Sequence, residues 1–308
     1  MNISALQIKT FLNCRRKYFY SYRERIKAKL TYDYLTDGKV IHSTLNKFYL
    51  DKECFATKPI PVGYEIFKQY GVEERYLGFV QFAYEEFGSP LEVSRGLARV
   101  LGMVGAYTKL HSPNEFASYE GEREFKVKFG EDYIVGRMDG VVSDHDGCNF
   151  VLEHKATADS GGLSFIEKEE DDAQTLLYLL VRYIETGEIP DGILYSHLRK
   201  DKYRLSSLDK DEDEFNRRII KDYLLYPASY LMRFKVYKNI DDISWFQEEL
   251  EQVIADIKVE KKIWVRNTER CFDYHGQCEY YALCQKKEIN KGVVEDYFIK
   301  KEEEKNVF

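Results

Sequence analysis

Glu153 and Lys155 stand two apart in the run NFVLEHKAT, and Asp139 precedes them in GRMDG. In an extended strand alternate residues share a face, so Glu153 and Lys155 point one way while Leu152 and His154 point the other. Two carboxylates that converge can hold a hard divalent cation such as Mg²⁺ or Mn²⁺ through oxygen. A lysine beside them can orient a water or stabilise charge on a phosphoryl group in transfer. The same triplet is equally an ordinary ion pair on a strand, so its surroundings decide its meaning.

A second group of reactive side chains lies in CFDYHGQCEYYALC, residues 271–284, where six and then five residues separate Cys271, Cys278 and Cys284. Three clustered thiols suggest metal ligands, and a closed site normally takes four. His275 would complete a Cys₃His zinc set. Cys54 and Cys148 belong to no motif and read as small apolar core residues.

The elements that must position these groups follow from the hydrophobic pattern. The chain has 308 residues, of which 44% are hydrophobic and 32% charged, a globular composition. It lacks a run of eighteen apolar residues and a signal-peptide pattern at its start, so a cytoplasmic protein with reduced cysteines is expected. The net charge is −7, yet residues 1–30 hold eight Lys/Arg and one acid. With Phe11, Tyr18, Phe19, Tyr20 and Tyr22 interleaved, this segment is either an amphipathic helix with a solvated basic face or a surface for phosphates and bases.

The Ser4–Gln7 capping box predicts a helix from about Ser4 to about Tyr22 with Cys14 near its middle. Further helices are expected from near Asp37, within 73–112 including Gly96–Leu110, from about Lys168 to Thr186, and near 211–225 and 241–262. Between them EREFKVKF, YIVGRMDGVVSD and NFVLEHK read as a three-strand antiparallel meander. ILYSHL follows the Lys168–Thr186 helix, which favours a parallel crossover. The charged run 300–305 reads as a tail.

This order of motifs resembles the PD-(D/E)xK nuclease superfamily in its RecB-type branch. GRMDG matches the acidic strand and LEHKAT the E-x-K strand. GKVIHSTLNKFY, with Gly38 and His42, matches an upstream G-x-x-x-H helix, and AQTLLYLL, with Gln174 and Tyr178, a following Q-x-x-x-Y helix. The resemblance implies a restriction-endonuclease-like α/β fold, a mixed sheet flanked by helices. It implies one nuclease domain over 1–308: a mainly helical portion 1–115, a core 116–200 and a helical portion 201–308. It implies His42, Asp139, Glu153 and the His154 carbonyl as ligands of Mn²⁺ or Mg²⁺, and Lys155 as the catalytic lysine. Gln174 and Tyr178 would touch the DNA backbone or orient Lys155, and the imidazole of His42 mildly favours Mn²⁺.

A subset of the branch carries a [4Fe–4S] cluster held by one upstream and three downstream cysteines. By that resemblance Cys14, Cys271, Cys278 and Cys284 would hold such a cluster, with structural Zn²⁺ as the alternative. Such a cluster would clasp the N-terminal helix to the C-terminal segment. The implied function is a metal-dependent DNA exonuclease acting on single strands or free ends, in recombination, repair, replication or CRISPR spacer processing. It would work in the cytoplasm of a bacterium or of a phage's host, with a helicase or recombination protein as partner and no membrane. The alternative is a DNA-binding, catalytically weak subunit of a helicase–nuclease complex.

Overall fold

The structure is a computed structural model that describes residues 1–29, 34–158, 163–207, 209–261, 263–273, 276–285, 289 and 291–300. Along the chain run β1 (Asn2–Ile3), α1 (Ala5–Asn13), α2 (Arg15–Tyr18), β2 (Ile26–Ala28), α3 (Tyr34–Asp51), α4 (Glu65–Gln69), α5 (Leu77–Glu86) and α6 (Arg95–Leu110). Then come β3 (Ser118–Glu120), β4 (Arg123–Phe129), β5 (Asp132–Met138), β6 (Gly140–Ser143), β7 (Asn149–Thr157), α7 (Leu163–Glu170), α8 (Ala173–Thr186) and β8 (Gly192–Arg199). The chain continues through α9 (Glu212–Leu225), α10 (Pro227–Tyr230), β9 (Leu231–Tyr237), α11 (Ile240–Lys258), β10 (Phe272–Asp273), β11 (Gly276–Gln277), α12 (Tyr281–Cys284), α13 (Lys291–Tyr297) and β12 (Phe298–Lys300).

The main sheet has the order β3-β6-β7-β8-β9, with β7 and β8 parallel and the other neighbours antiparallel. A smaller sheet has the order β1-β5-β4. The expected α/β class and the parallel β7–α8–β8 crossover are therefore present. The long central strand is not: it breaks at Asp139, with β5 pairing into the small sheet and β6 into the large one. Gly140 permits the break, because a Cβ there would lie 2.9 Å from the Tyr119 ring and 3.0 Å from the Glu120 carbonyl. The edge strand β9 reads in sequence as a gap between two helices.

Two apolar layers sandwich the main sheet. On one face α3, α5, α6 and α9 pack on Val142, Phe150, Leu152, Leu194 and Leu198. On the other, α8 and α11 with the small sheet cover Val151, Ile193, Tyr195 and Val236. A central strand buried on both faces must be apolar along most of its length. That makes Glu153 and His154, both buried in β7, the exceptions that require explanation.

Three helix boundaries differ from expectation. The N-terminal helix stops at Asn13, and Cys14 adopts an extended conformation before α2 resumes. The helix expected from Lys168 is two helices, because Asp172 caps a new start by accepting the Gln174 amide. The helix after β9 ends at Lys258. Of the charged tail, residues 301–305 lie outside the described residues.

The N- and C-terminal portions are joined by packing. β2 pairs antiparallel with β12. Tyr280 stacks on Tyr20 and donates to the Ile26 carbonyl at 2.7 Å. Tyr18 and Phe19 stack on Trp264. The expected metal clasp thus has a counterpart in aromatic contacts and a short β-ribbon.

Candidate active site

The break at Asp139 puts its carboxylate beside the end of β7. Oδ2 accepts the His154 backbone N–H at 2.8 Å, extending the ladder two residues beyond the Gly140–Leu152 pair. Oδ1 lies 2.8 Å from His42 Nδ1 on α3. Burial opposes both charges, and their mutual attraction overcomes it, holding Asp139 below and His42 above their usual ranges.

Glu153 and Lys155 do share a face, as strand alternation requires. Lys155 Nζ lies 3.0 Å from Glu153 Oε1 and 3.9 Å from Glu169 Oε2. Glu153 is pushed up to about 7, first by burial and then by Asp139, with Lys155 opposing. Burial works against the Lys155 charge, but Glu153, Asp172 and Glu169 outweigh it and hold the ammonium above the usual lysine value.

Gln174 and Tyr178, one turn apart on α8, complete this face. Gln174 Nε2 donates to Glu153 Oε1 at 3.0 Å and to the Tyr178 hydroxyl at 2.9 Å. Tyr178 in turn donates to the Arg137 carbonyl at 2.8 Å, tying α8 to β5 just before the break. The pair therefore touches the carboxylate and the bend.

His154 points to the opposite face. Its ring is buried without a hydrogen-bond partner at either nitrogen, and burial pulls it down to about 3, so it stays neutral. Behind it lies a network that the sequence did not suggest. Arg233 of β9 reaches Glu115 Oε1 at 2.8 Å, Tyr49 OH at 2.8 Å and Tyr107 OH at 2.7 Å. Glu169 and Asp172 likewise carry no sequence signal, because their roles depend on the turn between α7 and α8.

The donor set of two carboxylates and an imidazole suits a hard divalent cation. Among the described residues, however, no three His, Cys, Asp or Glu side chains form a ligand group. Asp139 is engaged by His42, and Glu153 by Lys155 and Gln174. Cation binding must exchange some of these contacts, and it would offset the burial and the Asp139 charge that raise Glu153.

The four motif cysteines line one cavity of about 290 Å³, together with Lys9, Lys17 and Tyr280. Cys14 Sγ accepts the Asn267 N–H at 3.4 Å, and the Cys278 N–H donates to the Cys271 carbonyl at 2.9 Å. Burial, then Cys278, Cys14 and Cys271, push the Cys284 thiol up to about 11 against the pull of Arg16. The thiols thus share a cavity but do not form a ligand group. His275 lies outside the described residues. Cys54 and Cys148 are half-buried against the helical core.

The basic N-terminal segment is largely structural. Tyr18 and Tyr20 are buried, so neither offers a face to a base. Arg15 pairs with Asp256, Lys17 with Glu279, and Arg23 donates to the Ile257 carbonyl. Lys9 reaches the active-site face itself: its Nζ lies 2.7 Å from Asp172 Oδ2 and 3.4 Å from Gln174 Oε1.

The model of the PD-(D/E)XK nuclease superfamily matches residues 2–285, and the chain belongs to that superfamily. The match includes both the carboxylate face and the four cysteines. No curated protein matches the chain. Among solved structures, that of SSO0001 aligns over 75% of this chain and 88% of its own at 14% identity, with a TM-score of 0.30. That similarity is too low to carry an argument. Among the described residues no helix is long and apolar enough to cross a membrane.

Proposed function

We propose that the chain is a metal-dependent deoxyribonuclease of the RecB-type branch that degrades DNA from its ends. The observation that carries this reading is the convergence of Asp139, Glu153 and Lys155, from a strand interruption and one strand face, with Gln174 and Tyr178 closing the site. His42, Asp139, Glu153 and the His154 carbonyl would hold Mg²⁺ or Mn²⁺, whose chemistry is to activate water and neutralise charge on the phosphoryl group.

The protein's own groups have separable tasks. Glu153 Oε1 is held by Lys155 and Gln174, which leaves Oε2 to face a cation. Lys155 is held protonated, so it acts by orienting a nucleophile and stabilising phosphate charge rather than by taking a proton. Asp139 is fixed through the His154 amide, so its position is set by the sheet.

The four cysteines support a [4Fe–4S] cluster as a structural element, since they come from both ends of the chain and line one cavity. Thiolates bound to iron would join segments already held by β2–β12 pairing and aromatic stacking, and closing so long a loop restricts the unfolded chain.

The reading is tested by incubating anaerobically purified protein with end-labelled single- and double-stranded DNA in Mn²⁺, Mg²⁺ or EDTA. Metal-dependent release of label, lost in Glu153→Ala and Lys155→Ala, is expected. Intact DNA in every arm, with DNA still bound, would replace the nuclease by a binding subunit.

A further inference from the structure

Lys9 is an unusual member of the basic N-terminal segment, because its ammonium meets the active-site face. Its ammonium bridges Asp172 Oδ2 at 2.7 Å and Gln174 Oε1 at 3.4 Å. The other end of that amide, Nε2, donates to Glu153 Oε1 at 3.0 Å. The Tyr178 hydroxyl gives its one proton to the Arg137 carbonyl, so it accepts from Nε2 and favours the same orientation. Lys9 holds the oxygen end of the amide. A flipped amide would turn its NH₂ toward an ammonium and its oxygen toward a carboxylate, and both encounters are repulsive.

The helix that carries Lys9 is pinned at both ends. Before it, β1 pairs with β5 in parallel. After it, the Asn13 carbonyl accepts from Asn267 Nδ2 at 3.0 Å, and Cys14 Sγ accepts the Asn267 N–H. Lys9 also lines the cysteine cavity. One side chain therefore touches both regions, and Cys14 directly follows the helix that delivers it.

We propose that Lys9 is a positioning residue of the active site, which locks the Gln174 amide so that Glu153 is presented to the cation in one orientation. The proposal rests on the nuclease reading for its catalytic consequence, but not for its geometric one. Loss of a partner one step behind a metal ligand typically weakens metal binding or activity by about ten- to a hundredfold.

The test is a Mn²⁺ titration, read by the electron paramagnetic resonance of free Mn²⁺, on the full chain and its variants. Lys9→Met should bind Mn²⁺ about tenfold more weakly. Gln174→Ala should show a similar loss, and the double variant should be no worse than Gln174→Ala alone. Lys9→Arg, which keeps a cation and its donors, should restore affinity to within about threefold. In the nuclease assay Lys9→Met should lower kcat with KM little changed.

Unchanged or tighter Mn²⁺ binding in Lys9→Met overturns the proposal; tightening would mark Lys9 as a mere repelling charge. Losses that multiply in the double variant also overturn it, since they would act independently of the amide. If Lys9→Met does not fold, Lys9→Arg decides alone: an affinity loss equal to that of Gln174→Ala contradicts the lock. A wild-type chain that binds Mn²⁺ but cuts nothing removes the nuclease reading and leaves this titration valid.

Discussion

The carboxylate face and the cysteine cavity are both built from residues distant in sequence, but they are assembled by different means. The carboxylate face is fixed by backbone: a strand break sets Asp139, strand alternation sets Glu153 and Lys155, and an N-cap sets Gln174. Each group has at least one hydrogen bond of 3.0 Å or less. The cysteine cavity is set by side-chain packing between chain ends, and its thiols contact backbone at 3.4 Å or longer. Under the proposed function a cation would exchange contacts already made at the carboxylate face, whereas the cavity would be organised by its ligand. The first region should therefore fail chemically when altered, and the second structurally.

The largest effect should come from the carboxylate face. Lys155→Ala should lower cleavage by roughly a thousandfold while leaving DNA affinity in EDTA within about threefold. Filter binding and end-label release check the two halves. In the cavity, Cys14→Ser should behave the opposite way. Iron content and stability should fall together, stability by about 2–5 kcal/mol if the cluster acts as a long cross-link, and residual activity should track the folded fraction. Iron analysis and circular dichroism check it.

A smaller effect sharpens the contrast. In metal-free protein Glu153 has a folded pKa raised from the usual glutamate value to about 7. A raised acid favours folding when protonated, so its contribution declines as pH rises through that window and is gone above it. Glu153→Gln should therefore be inactive yet more stable than wild type at pH 8 without metal, by about 1–3 kcal/mol, and the difference should shrink toward pH 5. Denaturant melts at both pH values read it.

The network behind the site has the reverse sign. Burial would raise Glu115, but the bond to His111 and the charge of Arg233 outweigh it and hold Glu115 down to about 2. Its stabilisation is present above the usual glutamate pKa and is lost as pH falls toward 2. Glu115→Gln should cost about 1–3 kcal/mol near pH 7 and almost nothing near pH 2. The smallest effect is expected at Arg15, whose exposed pairing with Asp256 should be worth under about 1 kcal/mol. An Arg15→Glu loss of DNA affinity above twofold would return the basic segment to the DNA path.

Much of the carboxylate face was legible because strand and helix periodicity decide which residues share a side: Glu153 with Lys155, and Gln174 with Tyr178. The E-x-K strand, the parallel crossover and α6 follow the same logic. Asp139 was legible as an acid but not as the interruption between two strands, because that interruption depends on Tyr119 packing over Gly140. Cys14 was misplaced within a continuous helix, since nothing in FLNCRRKYFY marks the extended residue that Asn267 stabilises from far along the chain. β9 was invisible because LMRFKVY carries charges at Arg233 and Lys235, and the partners of Arg233 come from α3, α6 and the following loop. Lys9 was read only as one of eight cations, and its role appears when α1 lies against the turn at Asp172.

The most direct test of the central claim is end-labelled DNA digestion in Mn²⁺ by wild type and Lys155→Ala at matched metal occupancy. Release of label by the wild type, none in EDTA, and a loss of roughly a thousandfold in the variant are expected. Equal digestion by both proteins, or none by either with Mn²⁺ bound, would contradict the claim.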